Sequence, residues 1–382
     1  MNYTRLTEML DVTLTGDSRP LVVTSFLHPV RGPVRCPAAA LFAAQLRSDG
    51  VPVALGAVDT TPSTRAPRPS TRPHGILAAT TYLGPDGRAT GVAIAAGPEH
   101  AALLQRVLSP WSAALRTRRV LITEGRPRCG TAGRPQGAAA ARLPASRRVP
   151  EGDAERGGCG PWEAARSALD SYLDRGDTVF LVAGAAQALR HPLLDTGQSG
   201  RVLRVDSTEA AAALRVADPD HVSFVVHPCA VTEDAAEILG ALRAVYPRLR
   251  GQHPDQWCYR ESDFRNSART VGRASDLVLD LTDEGRYSGS ADPAGLHVTS
   301  LAQLRPELLA PAATVAVIAD HGRRDTGSPC TTDVTTALSG LGPLSVVHHR
   351  SVTETATGIQ ERPAAPYPSP PQRELRAPRR RP

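Results

Sequence analysis

A chain of 382 residues exceeds the usual size of one domain, so two or three subdomains around sizeable cores are expected, and size excludes no enzyme class. Hydrophobic residues make up 41% but aromatics only 4%, with 34 prolines and 32 glycines, the composition of a globular body carrying unstructured sequence. There is no lysine, and six arginines against two glutamates from Glu361 to Pro382 account for four of the six units of net positive charge, which leaves a near-neutral body with no charge-based case for nucleic-acid binding.

Residues 1–20 form a polar N-terminal arm, and 21–27 read as a strand. The turn-rich His28-Pro29-Val30-Arg31-Gly32-Pro33 leads to Cys36, Pro37 opens a helix, and 51–55 give a second strand, so this is a βαβ unit with a cysteine in its first loop. Residues 59–75 are Pro, Thr, Arg and Ser with almost no apolar side chain, a surface insertion. A strand pair spans 76–83 and 90–96 around Pro85-Asp86-Gly87, followed by a helix over 99–115 and a buried strand over 119–123.

A second low-complexity stretch, 124–157, holds Cys129 and little that can pack. Regular structure resumes at Gly158-Cys159-Gly160-Pro161, where proline starts a helix that Arg175-Gly176 ends. Strands over 178–183 and 201–205 and a short helix over 208–216 precede the best-formed part of the chain. There, an apolar strand at 222–226 is followed by a helix over 232–246 with an acidic first turn, and then by Asp255-Gln256-Trp257-Cys258-Tyr259. Beyond it lie a helix over 264–273, a strand over 276–281, a loop over 282–295, a helix over 301–309, a strand over 314–319 and a helix near 331–338. The Pro- and Arg-rich tail, 351–382, is expected to be disordered.

Strands alternating with helices imply an α/β protein of three pseudo-equivalent subdomains with mostly parallel sheets around a central site: a first domain over 21–157, a second over 158–257 and a third over 258–350. Six cysteines spread over this length are too sparse for a disulfide scaffold. No run of eighteen apolar residues occurs and the N-terminus lacks the pattern of a signal peptide, so a cytoplasmic protein without a membrane partner is expected. Cys36, Cys159 and Cys258 each lie in a loop after a strand or before a helix, one per third of the body. Thiols at helix N-termini ionise more readily and ligate iron or zinc, and three of them with no fourth would leave one iron of an iron–sulfur cluster open. The same cysteines also suit small buried apolar positions.

In these features the chain resembles the LytB/IspH reductases, which make isopentenyl and dimethylallyl diphosphate from 4-hydroxy-3-methylbut-2-enyl diphosphate. The likeness is best from Cys159 to about Leu281. The family's last ligand cysteine stands in an Asp-Ile-Cys-Tyr context, similar to Asp255-Gln256-Trp257-Cys258-Tyr259, and Ser223-Phe224 looks like its preceding strand. Its second ligand opens a helix ending in Arg-Gly, as Cys159 does here. The counterpart of its first, in a Pro-Arg-Gly-Phe-Cys-Ala-Gly loop, is Cys36 in Arg31-Gly32-Pro33-Val34-Arg35-Cys36, with Cys129 in Gly125-Arg126-Pro127-Arg128-Cys129-Gly130 as the competitor.

The resemblance implies a [4Fe-4S] cluster held by Cys36, Cys159 and Cys258, whose open iron takes the substrate hydroxyl. It also implies an allylic diphosphate or related alcohol as substrate and an electron donor such as ferredoxin or flavodoxin. His191 in His191-Pro192-Leu193-Leu194-Asp195 matches a diphosphate-contacting histidine, while leucine replaces the proton-delivering glutamate, so Asp195 would stand in as the acid. Val226-His227-Pro228-Cys229 replaces a hydroxyl-rich loop, and the family's Ser-x-Asn segment becomes residues 283–290, where Arg286, Ser288 and Ser290 would contact the diphosphate. These departures imply an alternative, a catalytically inactive relative serving as a binding or regulatory module.

Overall fold

The computed structural model describes residues 5–14, 19–58, 60, 74–84, 86–125, 160–184, 200–228, 230–282, 285, 287, 295–320 and 328–349. The low-complexity stretch after β-strand 119–123 and the C-terminal tail lie outside these residues.

The first sheet is built from β1 (Leu6–Thr13), β2 (Leu21–His28), β3 (Gly32–Arg35), β4 (Ala54–Val58), β5 (His74–Leu83) and β6 (Ala89–Ala96), in the order β1-β5-β6-β3-β2-β4. It is mixed: hairpins make β5–β6 and β2–β3 antiparallel, whereas β2 and β4 run parallel across α1 (Ala39–Ser48), giving the expected βαβ unit. The β2–β3 turn is shaped by His28, whose Nδ1 accepts the backbone N–H groups of Val30 and Arg31, with Gly32 at φ +70°.

Two local readings shift. The supposed N-terminal arm contains β1, an edge strand whose short period-two alternation leaves it only half-buried, a weak signal in sequence. The strand after α1 begins at Ala54 rather than Val51, because Val51 still donates to Leu46 in the helix-ending turn at Gly50, which holds φ +81°. Helix α2 (Ala101–Ala113) covers β5 and β6, burying Leu104, Leu108 and Trp111.

Next comes β7 (Arg118–Glu124), which leaves the first sheet and becomes a central strand of the third. The second unit follows as α3 (Gly160–Asp174), β8 (Thr178–Val182), β9 (Val202–Val205), α4 (Thr208–Ala213), β10 (Val222–Val226), α5 (Thr232–Val245) and β11 (Arg250–Gly251). Its sheet, β11-β10-β8-β9, is parallel throughout. Helix α3 packs Leu169 and Leu173 on one face against Val179 and Leu181, while α5 packs Ile238 and Leu242 on the other against Phe180 and Phe224. Strands buried on both faces read as unbroken apolar runs, which is why β8 and β10 are so legible in sequence.

The third unit comprises α6 (Arg260–Arg273), β12 (Leu277–Asp280), β13 (Gly295–His297), α7 (Pro306–Leu309), β14 (Thr314–Ala319), α8 (Thr331–Ser339) and β15 (Leu344–His348). Its parallel sheet has the order β13-β12-β14-β7-β15. The helix expected over 301–309 is instead a 3-10 turn at Leu301–Gln303 and the single turn α7, because Pro306 holds Arg305 in an extended conformation (ψ 148°). Strand β15, exposed along most of its length, has no counterpart in the sequence reading.

Helix α6 lies on one face of this sheet, with Phe264, Ala268 and Val271 against Leu121, Val278 and Ala316. The other face merges with the first sheet in one core containing Phe42, Leu104, Trp111, Ile122, Val317 and Leu338. The molecule is thus an α/β protein with mostly parallel sheets, in which the first and third sheets share a core and the second has its own.

Candidate functional site

In a parallel sheet each helix runs antiparallel to its strands, so helix N-termini gather at the strands' carboxyl edge. Here the carboxyl edges of the second and third sheets meet. The start of α5, just after β10, docks on the first turns of α6: Ser262 Oγ accepts the Thr232 N–H at 2.8 Å and shares a 2.7 Å hydrogen bond with the Thr232 hydroxyl. Beside it Arg265 Nη1 donates to Asp234 at 2.6 Å and Asn266 to Glu233 at 3.3 Å. The Glu233 carboxyl lies below its ordinary range: burial opposes ionisation, but the hydrogen bonds it accepts from the α5 backbone, Ser262 and Asn266 outweigh it.

Cys258 sits at this junction. It is buried (6% exposed), two residues before α6 and just after the Pro254–Gln256 turn, which His253 and Gln256 close as a reciprocal cap. That turn touches α3, and Trp162, near the start of α3, places its ring edge-on to buried His227 at the end of β10, 6.4 Å between centroids. The end of β7 arrives at the same place: a Cβ on Gly125 would stand 3.2 Å from the Phe264 ring, in the first turns of α6. Phe264 in turn packs against Tyr287, 5.5 Å away and edge-on, from the loop after β12.

That loop is held by Asp280, fully buried at the end of β12. Its carboxylate accepts the Thr282 N–H at 2.9 Å, the Thr282 hydroxyl at 2.6 Å and the Tyr287 N–H at 2.6 Å. Gly285, at φ +61°, brings its backbone against the His297 ring, which a side chain would overlap. Neither Asp280 nor the Ser262–Thr232 pair stands out in sequence, since short polar residues near helix and strand ends are common in loops.

Cys36 lies elsewhere. Its neighbour Ala38 abuts Gly340 at the end of α8, and Tyr82, close enough to Cys36 for their charges to interact, donates to the Ser339 carbonyl at 2.7 Å and accepts from Gly342 N at 3.1 Å. Gly342 stands against Arg116, before the start of β7, so Cys36 is at the amino edge of the third sheet and Cys258 at its carboxyl edge. The seven residues of β7 span roughly 20 Å between those edges. The structure therefore does not bring Cys36 and Cys258 together. It encloses Cys36 in the shared aliphatic core, where burial pushes the thiol up to about 12, against the readily ionised thiol expected of a helix start.

Of the other residues singled out in the sequence, Cys129, Cys159, His191, Asp195, Ser288 and Ser290 lie outside the described residues. Among the described residues no three His, Cys, Asp or Glu side chains converge as a metal-binding group, and no helix is long and apolar enough to cross a membrane. Cys258 fits a cluster ligand by its place at a helix start on the shared edge; Cys36 does not fit the same cluster.

No family model matches the chain. Among curated proteins, it is similar to the 4-hydroxy-3-methylbut-2-enyl diphosphate reductase of Pseudomonas putida (strain GB-1), 32% identical over 22% of this chain and 27% of that protein. The reductase of Chromohalobacter salexigens is 25% identical over 39% of this chain and 50% of that protein. The chain thus spans between about a quarter and a half of the length of these relatives. Among solved structures, it superposes on the E-1-hydroxy-2-methyl-but-2-enyl-4-diphosphate reductase of Plasmodium falciparum with a TM-score of 0.39 and 10% identity, covering 53% of this chain and 69% of that one. A further (E)-4-hydroxy-3-methyl-but-2-enyl diphosphate reductase gives a TM-score of 0.29 and 18% identity, covering 48% of this chain and 66% of that one. Over part of its length, the chain is thus similar to 4-hydroxy-3-methylbut-2-enyl diphosphate reductases.

Proposed function

We propose that this chain is an iron–sulfur reductase of the LytB/IspH type, acting on an allylic diphosphate or a related alcohol, with a [4Fe-4S] cluster held by Cys129, Cys159 and Cys258. The observation that carries this reading is the shared carboxyl edge. Gly125, Gly160 and Cys258 all belong to elements that end or begin there. Cys129 is four residues beyond Gly125, a reach of at most about 14 Å, and Cys159 is bonded to Gly160, about 3.8 Å between Cα atoms. Cys129 thereby replaces Cys36 as the preferred first ligand.

When bound, the cluster would relay two electrons, one at a time, from the donor protein to the substrate, with one proton leaving in the released water and the other forming the new C–H bond. The protein's part is to hold the substrate and deliver protons. His191, Ser288 and Ser290 remain the proposed diphosphate contacts and Asp195 the proposed acid, with a small electron-transfer protein as donor.

The second reading, a catalytically inactive relative serving as a binding or regulatory module, is favoured by one observation. Where the family has a hydroxyl-rich loop, His227 is 2% exposed against Trp162. Anaerobic reconstitution separates the two. The reductase reading expects a brown protein with about four irons per chain, colour lost in Cys258→Ser, Cys129→Ser and Cys159→Ser but kept in Cys36→Ala, and oxidation of a chemical reductant on adding the allylic diphosphate. Colour without turnover, or a colourless, iron-free protein after reconstitution, rejects the reductase reading and selects the second.

A further inference from the structure

Among the described residues the first sheet contributes nothing to the shared carboxyl edge, and it carries a cleft of its own. Strand β1 is paired only with β5 among the described residues, and α2 crosses the sheet beside it. Between β1 and α2 lies a cleft of about 470 Å³, within the range of roughly 300–1,000 Å³ typical of small-molecule sites.

Its walls divide by chemistry. At one end Arg5 uses Nη1 on the Ser112 carbonyl, 2.7 Å away, and has no carboxylate partner among the described residues, so the rest of its guanidinium fork faces the cleft with its charge unpaired. Alongside, the hydroxyls of Thr7, Thr80 and Ser112 form a triangle of 3.0, 3.2 and 3.4 Å contacts. Gln105, Ser109 and Ser112 recur at i, i+4 and i+7, a polar stripe turned toward β1 on a helix whose other inward positions are apolar. The floor is Met9, Ala78 and Leu108. The one carboxylate on the wall, Glu8, is already engaged by the Nε2 of buried His28, whose Nδ1 is committed to two backbone N–H groups.

We propose that this cleft binds a small organic anion with an apolar body, its phosphate or carboxylate group on Arg5 and the Thr7 and Ser112 hydroxyls and its body on Met9, Ala78 and Leu108. A guanidinium flanked by hydroxyl donors matches either oxyanion, and an apolar floor adds affinity that a bare ion would lack. The proposal is independent of the cluster proposed at the shared carboxyl edge, so it applies equally to iron-free protein.

Isothermal titration of the full chain with hexyl phosphate, hexanoate and inorganic phosphate tests it. Saturable binding of at least one hexyl anion is expected, with inorganic phosphate at least tenfold weaker; which hexyl anion binds identifies the head group. Arg5→Gln and, separately, Ser109→Asp, which sets a carboxylate in the cleft, should each weaken binding at least tenfold without lowering the melting temperature of the free protein. Arg88→Gln, at the exposed β5–β6 turn, should leave it unchanged. No saturable binding of either hexyl anion, or equal binding by Arg5→Gln and Ser109→Asp, overturns the proposal.

Discussion

Cys36 and Cys258 are both buried and both stand near the start of a helix, yet only Cys258 lies at the shared carboxyl edge. Cys36 is wrapped in aliphatic side chains of the shared core, so its thiol stays neutral, its ordinary value of 9.0 raised to about 12 by burial. An unfolded chain ionises this thiol above pH 9 while the folded chain keeps the proton until near 12. The stability it contributes is therefore complete below pH 9 and is lost as pH rises toward 12, an effect of a few kcal/mol over that window. Tyr82, also raised to about 12 from 10.0 by burial, adds the same sign of dependence, but only above pH 10. Urea midpoints measured between pH 9 and 10 should fall in the wild type and stay nearly level in Cys36→Ala. An equal fall in both would show that Cys36 is not the titrating group.

At the scale of the elements, the candidate site depends on two polar anchors that fix loops against helices. Asp280→Ala leaves the Thr282 and Tyr287 N–H groups and the Thr282 hydroxyl without their acceptor, at a cost of about 2–4 kcal/mol. Because Tyr287 packs on Phe264, the variant should also alter the near-ultraviolet circular dichroism of that pair, whereas an unchanged spectrum and denaturation midpoint would deny Asp280 this role. Ser262→Ala removes the acceptor of the Thr232 N–H at the α5–α6 junction, and about 1–3 kcal/mol should be lost in urea denaturation. A smaller loss would indicate that water replaces the hydroxyl.

Over the whole molecule, the shared core predicts how the protein opens. The first and third sheets pack into one another, and buried Arg118, at the start of β7, ties them by donating to the carbonyls of Ala114, Leu309 and Leu341. The second unit has separate clusters on its two sheet faces. Hydrogen exchange should therefore show amides of β5, β7 and β14 opening with a common free energy, and those of β8 and β10 with a different one. A single common value for all five strands would mean that the α5–α6 junction couples the units into one cooperative block.

What the sequence determined by itself was the local grammar. Apolar runs such as Val222 to Val226 announced strands buried on both faces, and an acidic first turn announced α5, because these signals depend on neighbours in the chain. The setting of Cys258 was legible for the same reason. The edge strands, half-buried β1 and mostly exposed β15, gave no comparable signal, since an edge strand needs little apolar surface. Only the tertiary structure decided which cysteines share an edge. Cys36 and Cys258 carry similar local signatures, but the place of β7 in the third sheet puts one at its amino edge and the other at its carboxyl edge. Strand order is a long-range property, set by which apolar faces find one another, and no spacing along the chain encodes it.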